Sequence, residues 1–325
     1  MGVSLSRILA DRISSDSGGF RQFDASGRLS AISKRRVQAK SRDHFGPVMC
    51  PAFLGVSDGF DIASPRSDLA LPEICHHPQA LLQISDLTYR YGKHTAVDSL
   101  DLSIQRGSFF GFLGPNGAGK TTTIECIAGL RADWAGEILF SQKPFAPAIS
   151  RDDRKRIGLV PQDIAIYGDL SAKENLHFFG CLAGLGKAKL KDRIDHAIEL
   201  AGLQERANDR ASQFSGGMKR RLNLAIGQLH EPELLLLDEP TAGVDPQSRS
   251  HLFEALMSLN RNGTTIVYTT HYMEEVEKLC DKIAIMNVGK IVAVGTAAEL
   301  SEFVDKPDAN LETVFLELTG HKLRD

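Results

Sequence analysis

The chain has 325 residues, 42% of them hydrophobic, enough to bury a large core in one or two domains. Its formal net charge of −3 offers no basic field for nucleic acid or an anionic membrane, and no apolar run approaches the ~18 residues that span a bilayer. Five scattered cysteines (Cys50, Cys75, Cys126, Cys181 and Cys280) without a C-x-x-C pair fit free thiols in a reducing compartment better than a disulfide framework.

Residues 1–80 carry no sustained helical or alternating apolar period. Their Arg- and Ser-rich, acid-poor start is similar to an organelle transit peptide, but no amphipathic helix accompanies it. The opening "MGVSLS" also meets the loose myristoylation pattern. A disordered extension is the reading preferred to both, and a start codon assigned upstream of Met49 is a further option. Lys34-Arg35-Arg36 reads as a charged tail. Cys75-His76-His77 reads as a loop cluster, because no second set of ligands accompanies it.

From Leu81 the pattern tightens. "LLQISDLTYRY" and "AVDSLDLSI" alternate as half-buried antiparallel strands, and "GSFFGFL" is a buried strand. A glycine-rich loop follows, then the helix "KTTTIECIAGL" and the short strands "GEILF" and "RIGLVPQ". Residues 171–230 are mostly helical: "SAKENLHFFGCLAGL", "AKLKDRIDHAIELAGL" and "GGMKRRLNLAIGQL" each space apolar residues by three or four. After Glu233 strands and helices alternate, in "LLLLD", "PQSRSHLFEALMSLN", "TTIVYTT", "YMEEVEKLC" and "KIAIM". Such alternation implies a parallel sheet flanked by helices.

Three stretches carry chemistry. In "GPNGAGKTT" the spacing Gly114-x-x-x-x-Gly119-Lys120-Thr121 lets the backbone curl so that successive N–H groups point inward at the start of a helix. Lys120 supplies a charge for outer phosphates and Thr121 a hydroxyl for Mg²⁺. "LLLLDEP" is a buried strand ending in two carboxylates. At the carboxyl edge of the sheet Asp238 can help hold Mg²⁺, and Glu239 can orient and deprotonate a water for in-line attack. "FSGGMKRRL" opens a helix with two glycines and forms a second anion site; in isolation an ordinary serine N-cap explains it equally well. Its "KRR" triplet, residues 219–221, reads as a solvated helix face.

Together these motifs resemble the ATP-binding cassette (ABC) family over roughly residues 81–300. The resemblance implies an α/β P-loop NTPase core with a mainly parallel sheet, an N-terminal antiparallel β subdomain, a helical insertion at about 163–214 and a C-terminal helical tail at 301–325. It implies that Gly114, Pro115, Asn116, Gly117, Ala118, Gly119, Lys120, Thr121 and Thr122 hold phosphates, and that Tyr91 stacks on adenine, with Tyr89 a rival. Gln162 matches the Q-loop glutamine, with a role in catalysis and beside Mg²⁺, although alone it reads as a turn residue after Pro161. Ser215-Gly216-Gly217 matches the signature, Asp245 the D-loop, and His271 the switch histidine, which alone would be a satisfied polar cap. The signature carries Phe214 and Met218 where leucine and glutamine are commoner, while the part that faces phosphate is intact.

"SGGMKRRL", "THYMEE" and "VFLELTG" look most like ATPase subunits of exporters whose membrane subunit is a separate chain. The implied cofactors are ATP and Mg²⁺. The implied partners are an integral-membrane permease and a second ATPase subunit, with no nucleic acid, at the cytoplasmic face of the membrane. The alternative is a soluble ABC ATPase acting on ribosomes or DNA, but no heptad run or basic stripe separates Lys120 from Asp238. A GTP switch would need an Asn/Thr-Lys-x-Asp motif, and Lys306-Pro307-Asp308 is preceded by Asp305.

Overall fold

Two sheets organise the residues that the computed structural model describes, 80–302 and 310–320. These belong to one unit, Ile74–Asp325; the readings made for residues 1–79 lie outside the described residues. Strands β1 (Ala80–Tyr91) and β2 (His94–Gln105) form an antiparallel hairpin whose tight turn places Gly92 at φ 59°. Strand β4 (Ala135–Phe140) pairs antiparallel with the other edge of β1, and the two-residue β5 (Lys143–Pro144) completes the order β2-β1-β4-β5. "GEILF" therefore belongs to the antiparallel subdomain. The five consecutive buried residues opening β1 depart from simple alternation, because that end is covered on both faces.

The second sheet has the order β10-β9-β3-β8-β7-β6. It consists of β3 (Phe109–Leu113), β6 (Ile157–Val160), β7 (Leu234–Asp238), β8 (Thr265–Thr270), β9 (Lys282–Asn287) and β10 (Lys290–Gly295). The first five are mutually parallel, and β10 closes the edge antiparallel to β9. Every residue of β3, β7 and β8 is buried, as expected of parallel strands covered on both faces. Strand β10 and helix α2 (Arg151–Arg156) escape a periodicity search: the strand is short and half-exposed, and "RDDRKR" has no apolar face.

One core lies between the sheets, joining Ile84, Val97, Phe110, Phe112 and Phe140 to Ile124 and Ile127 of α1 (Lys120–Ile127). A second packs Leu252, Leu256 and Leu259 of α6 (Pro246–Arg261) onto β7 and β8. A third carries α7 (Met273–Leu279), α8 (Ala297–Glu302) and α9 (Leu311–Thr319) against β3 and β9 through Val276, Leu300, Val314 and Phe315. The described part of the C-terminal tail is thus packed helix.

The insertion has its own core. Leu176 of α3 (Ala172–Leu182), Leu190, Ile194 and Ile198 of α4 (Lys187–Leu200), and Leu222 and Leu229 at α5 (Gly216–Gln228) meet Phe214. A capping box between Ser171 and Glu174 starts α3. Buried Asn175 accepts from the Tyr167 amide at 2.8 Å and donates to the Tyr167 and Ser171 carbonyls at 2.9 Å each, which pins the loop leading into α3.

Candidate functional site

The carboxyl ends of three adjacent parallel strands supply the site. Strand β8 sits between β3 and β7, and its register sets Leu113 against Thr270 and Asp238 against Thr269. The loop after β3, the carboxylates ending β7 and His271 after β8 therefore emerge side by side, where ligands of such sheets bind. Gly119 caps α1 at φ 103°, and a Cβ there would fall 2.5 Å from the Ala96 carbonyl oxygen. Only glycine allows the helix to start at that closeness. No side chain caps the helix, so its first N–H groups stay directed toward the cleft.

Lys120 is buried, and its ammonium donates to the carbonyls of Gly114 at 2.7 Å and Pro115 at 3.1 Å. It also lies 3.4 Å from Glu239 Oε1. Burial lowers its pKa, against the opposing pull of Glu239. The other Glu239 oxygen, Oε2, is 3.4 Å from His271 Nδ1, which makes no aligned hydrogen bond. Glu239 itself sits at φ 43°, in the left-handed region that a non-glycine residue occupies at a cost. Asp238 Oδ1 accepts from Thr269 Oγ1 at 2.8 Å and Thr121 Oγ1 at 3.1 Å. Burial pushes its pKa above the ordinary carboxylate value, and these two hydroxyls pull against that.

An open cleft of about 380 Å³ joins Tyr91, His94, Asn116, Gly117, Ala118, Gly119, Lys120, Thr121, Thr122, Gln162 and Glu239. Gly114 and Pro115 meet the same site through their carbonyls on Lys120. The two tyrosines differ in exposure: Tyr89 is 6% exposed and packs inward, while Tyr91 is 42% exposed and lines the cleft. The Arg131 guanidinium lies 5.2 Å from the Tyr91 ring centre and pairs with Glu125 at 2.8 Å.

Ser215, Gly216, Gly217 and Asp245 do not line this cleft. Ser215 caps α5 through Met218 N, and Asp245 caps α6 through Ser248 N. The two caps touch: a Cβ on Gly217 would fall 2.0 Å from Ser248 Oγ and 3.1 Å from Asp245 Oδ2.

A family model described as "ABC transporter" matches residues 97–242. The linearmycin resistance ATP-binding protein LnrL of Bacillus subtilis (strain 168) is 47% identical over 220 residues, covering 68% of this chain and 70% of that protein. The chain belongs to the ABC transporter ATP-binding subunits. A Nod factor export ATP-binding protein I of Cupriavidus metallidurans is 42% identical over 221 residues, 68% of this chain and 73% of its own length. A solved ATP-binding subunit of an ABC transporter superposes with a TM-score of 0.67 at 28% identity, covering 74% of this chain and 99% of that one. As an ABC subunit the protein is an ATPase.

The "KRR" triplet is the reading that the structure corrects. Arg220 donates to the Gln162 carbonyl and, at 3.3 Å, to the Ala242 carbonyl. Arg221 donates to the Ala201 and Gly202 carbonyls at 2.6 and 3.2 Å. These half-buried arginines tie the ABC signature helix to three neighbouring loops, because orphan carbonyls at loop and helix ends need donors. Thr269 was also missed: its hydroxyl accepts the Glu239 amide at 3.0 Å while donating to Asp238. The available signal was a run of hydroxyls in "TIVYTT", a strand otherwise read as apolar.

Proposed function

We propose that this ABC subunit hydrolyses ATP in the cleft between the glycine loop and Glu239 to power export through a separate membrane-spanning partner. The contact that carries the reading is Glu239, held between Lys120 and His271 at 3.4 Å from each. Tyr91 offers its open face to adenine, and residues 114–122 surround the phosphates. Lys120 neutralises the terminal phosphate oxygens. Glu239 accepts the proton of the attacking water, with His271 steadying the second carboxylate oxygen. Thr121 and Asp238 suit Mg²⁺: both present hard oxygens, and they are 3.1 Å apart. Among the described residues no cluster of three or more His, Cys, Asp or Glu could hold a metal by itself, which fits an ion that takes its other ligands from phosphate and water. When bound, Mg²⁺ spreads the charge on the phosphates.

As in the family it belongs to, a second ATPase subunit supplies Ser215, Gly216, Gly217 and Asp245 to the nucleotide, a reading supported by their place outside the cleft lining. Gln162, at the cleft and tied by Arg220 to the signature helix, links the nucleotide to the helical insertion of about residues 163–214. That insertion exposes Tyr167 and Phe178 as the surface for the membrane partner. The names of the relatives, resistance and export proteins, support an outward direction. No described helix is long and apolar enough to cross a membrane, which supports a subunit held at the cytoplasmic face by its partner.

Glu239→Gln and Lys120→Ala together test the site. The Gln variant is expected to bind ATP, lose turnover by about 10²–10⁴-fold, and sediment as a dimer only when ATP is present. The Ala variant is expected to lose ATP binding itself. Wild-type turnover by Glu239→Gln would remove Glu239 from its role, and a monomer with ATP bound would argue against a composite site.

A further inference from the structure

Glu275, on α7, is a carboxylate only 2% exposed to solvent, and none of the motifs assigns it a task. Burying such a group requires several donors; three hydroxyls donate to it and a guanidinium stands near. Oε1 accepts from Thr241 Oγ1 at 2.8 Å. Oε2 accepts from Thr270 Oγ1 at 2.7 Å and Tyr268 Oη at 2.8 Å. Arg249 Nε stands 3.7 Å from Oε1. These groups come from three elements: the loop after β7, the end of β8, and α6.

Their positions in the chain give the cluster its meaning. Thr241 is two residues after Glu239, and Thr270 immediately precedes His271. The two oxygens of one carboxylate therefore hold the segments on which the pair Glu239–His271 is mounted. A second path reaches the same histidine. The Arg249 guanidinium lies 5.6 Å from the Tyr272 ring centre, and that ring lies 4.1 Å from the His271 ring. Thr270 Oγ1 also accepts the Tyr272 amide at 3.0 Å, which fixes the turn that aims His271 back at Glu239.

We propose that Glu275 is a positioning residue that sets the spacing of Glu239 and His271, and so the rate of ATP hydrolysis without the affinity for ATP. The inference rests on the roles proposed above for that pair. Glu275 lies outside the cleft lining and touches none of the phosphate loop. Glutamine in its place keeps one acceptor oxygen and replaces the other by a donor, so at least one hydroxyl loses its acceptor and must turn. A catalytic pair displaced by even 1 Å loses on the order of 10²-fold in rate.

The test is the steady-state kinetics of Glu275→Gln, Thr241→Val, His271→Ala and the double variant Glu275→Gln/His271→Ala, with single-turnover measurements for the slow ones. Glu275→Gln is expected to lower kcat at least tenfold with KM for ATP changed less than twofold. Thr241→Val, which keeps the shape and removes one donor, should lower kcat about threefold and serves if the Gln variant does not fold. In the double variant the Gln substitution should cost less than a further twofold, since the geometry it disturbs has lost its second member. A folded Glu275→Gln or Thr241→Val with wild-type kcat, or a loss confined to stability and ATP binding, overturns the inference. Multiplicative losses in the double variant overturn it while leaving His271 its role. A wild-type rate for His271→Ala overturns that role and this inference together.

Discussion

The proposed docking surface can be tested at two side chains. In the helical insertion Tyr167 is 43% exposed and Phe178 37% exposed, while Phe179 and Leu170 are half-buried. The rings of Tyr167 and Phe178 meet edge to face at 4.9 Å and form one patch. An aromatic side chain has on the order of 150–250 Å² to bury, so the open fraction of each is about 70–90 Å². At roughly 25 cal/mol per Å², covering it against a partner contributes about 2 kcal/mol per ring. Phe178→Ser or Tyr167→Ser should therefore weaken association about thirtyfold. The double variant should lose less than the product, because the rings touch. Neither side chain belongs to the cleft, and the Asn175 side-chain amide bonds only to main-chain atoms of Tyr167. Soluble ATPase activity should accordingly stay within twofold. Cell fractionation followed by immunoblotting reads membrane recovery, with ATPase of the purified variants as control. Unchanged recovery for both variants would place the docking surface elsewhere and refute the area argument.

Two further expectations follow from burial. The Cys126 thiol is pushed up to about 12 by burial, while Cys181 is exposed; iodoacetamide at pH 8 should modify Cys181 in the native protein and Cys126 only on unfolding, as peptide mass mapping would show. His230 donates from Nε2 to the Ile157 carbonyl at 2.9 Å, and burial holds its pKa below the ordinary histidine value. The unfolded chain then takes up the proton first, so His230's contribution to stability is complete above about pH 6.5 and declines as pH falls below it. Thermal melts from pH 7.5 to 5.5 should show a shallower decline for His230→Gln; equal slopes would exclude this source.

Much of the site was legible in the linear chain because it is built from local devices. A glycine loop between a buried strand and a helix, "LLLLDEP", and a histidine after "TIVYTT" each declare a strand's carboxyl end, and parallel strands put those ends on one edge. The serine cap of α5 was legible for a similar reason: a serine N-cap needs only its own next turn. The antiparallel strands β1 and β2 could be read from their alternation. What sequence could not decide was every matter of partner and exposure across the fold. Tyr91 and Tyr89 stand two apart on one strand and differ only in what covers them. Arg220 and Arg221 look like surface charges until the carbonyls of Gln162, Ala242, Ala201 and Gly202 are brought against them. Glu275 sits in an acidic run, "MEEVEKL", that reads as solvated; the fold of β8 back onto α7 and the packing of the loop after β7 gather Tyr268, Thr270 and Thr241 around it. Capping, turn formation and strand burial act over a few residues and leave a pattern in the chain. Hydrogen bonding between segments about twenty to sixty residues apart leaves none, because any donor that packing brings within reach will serve.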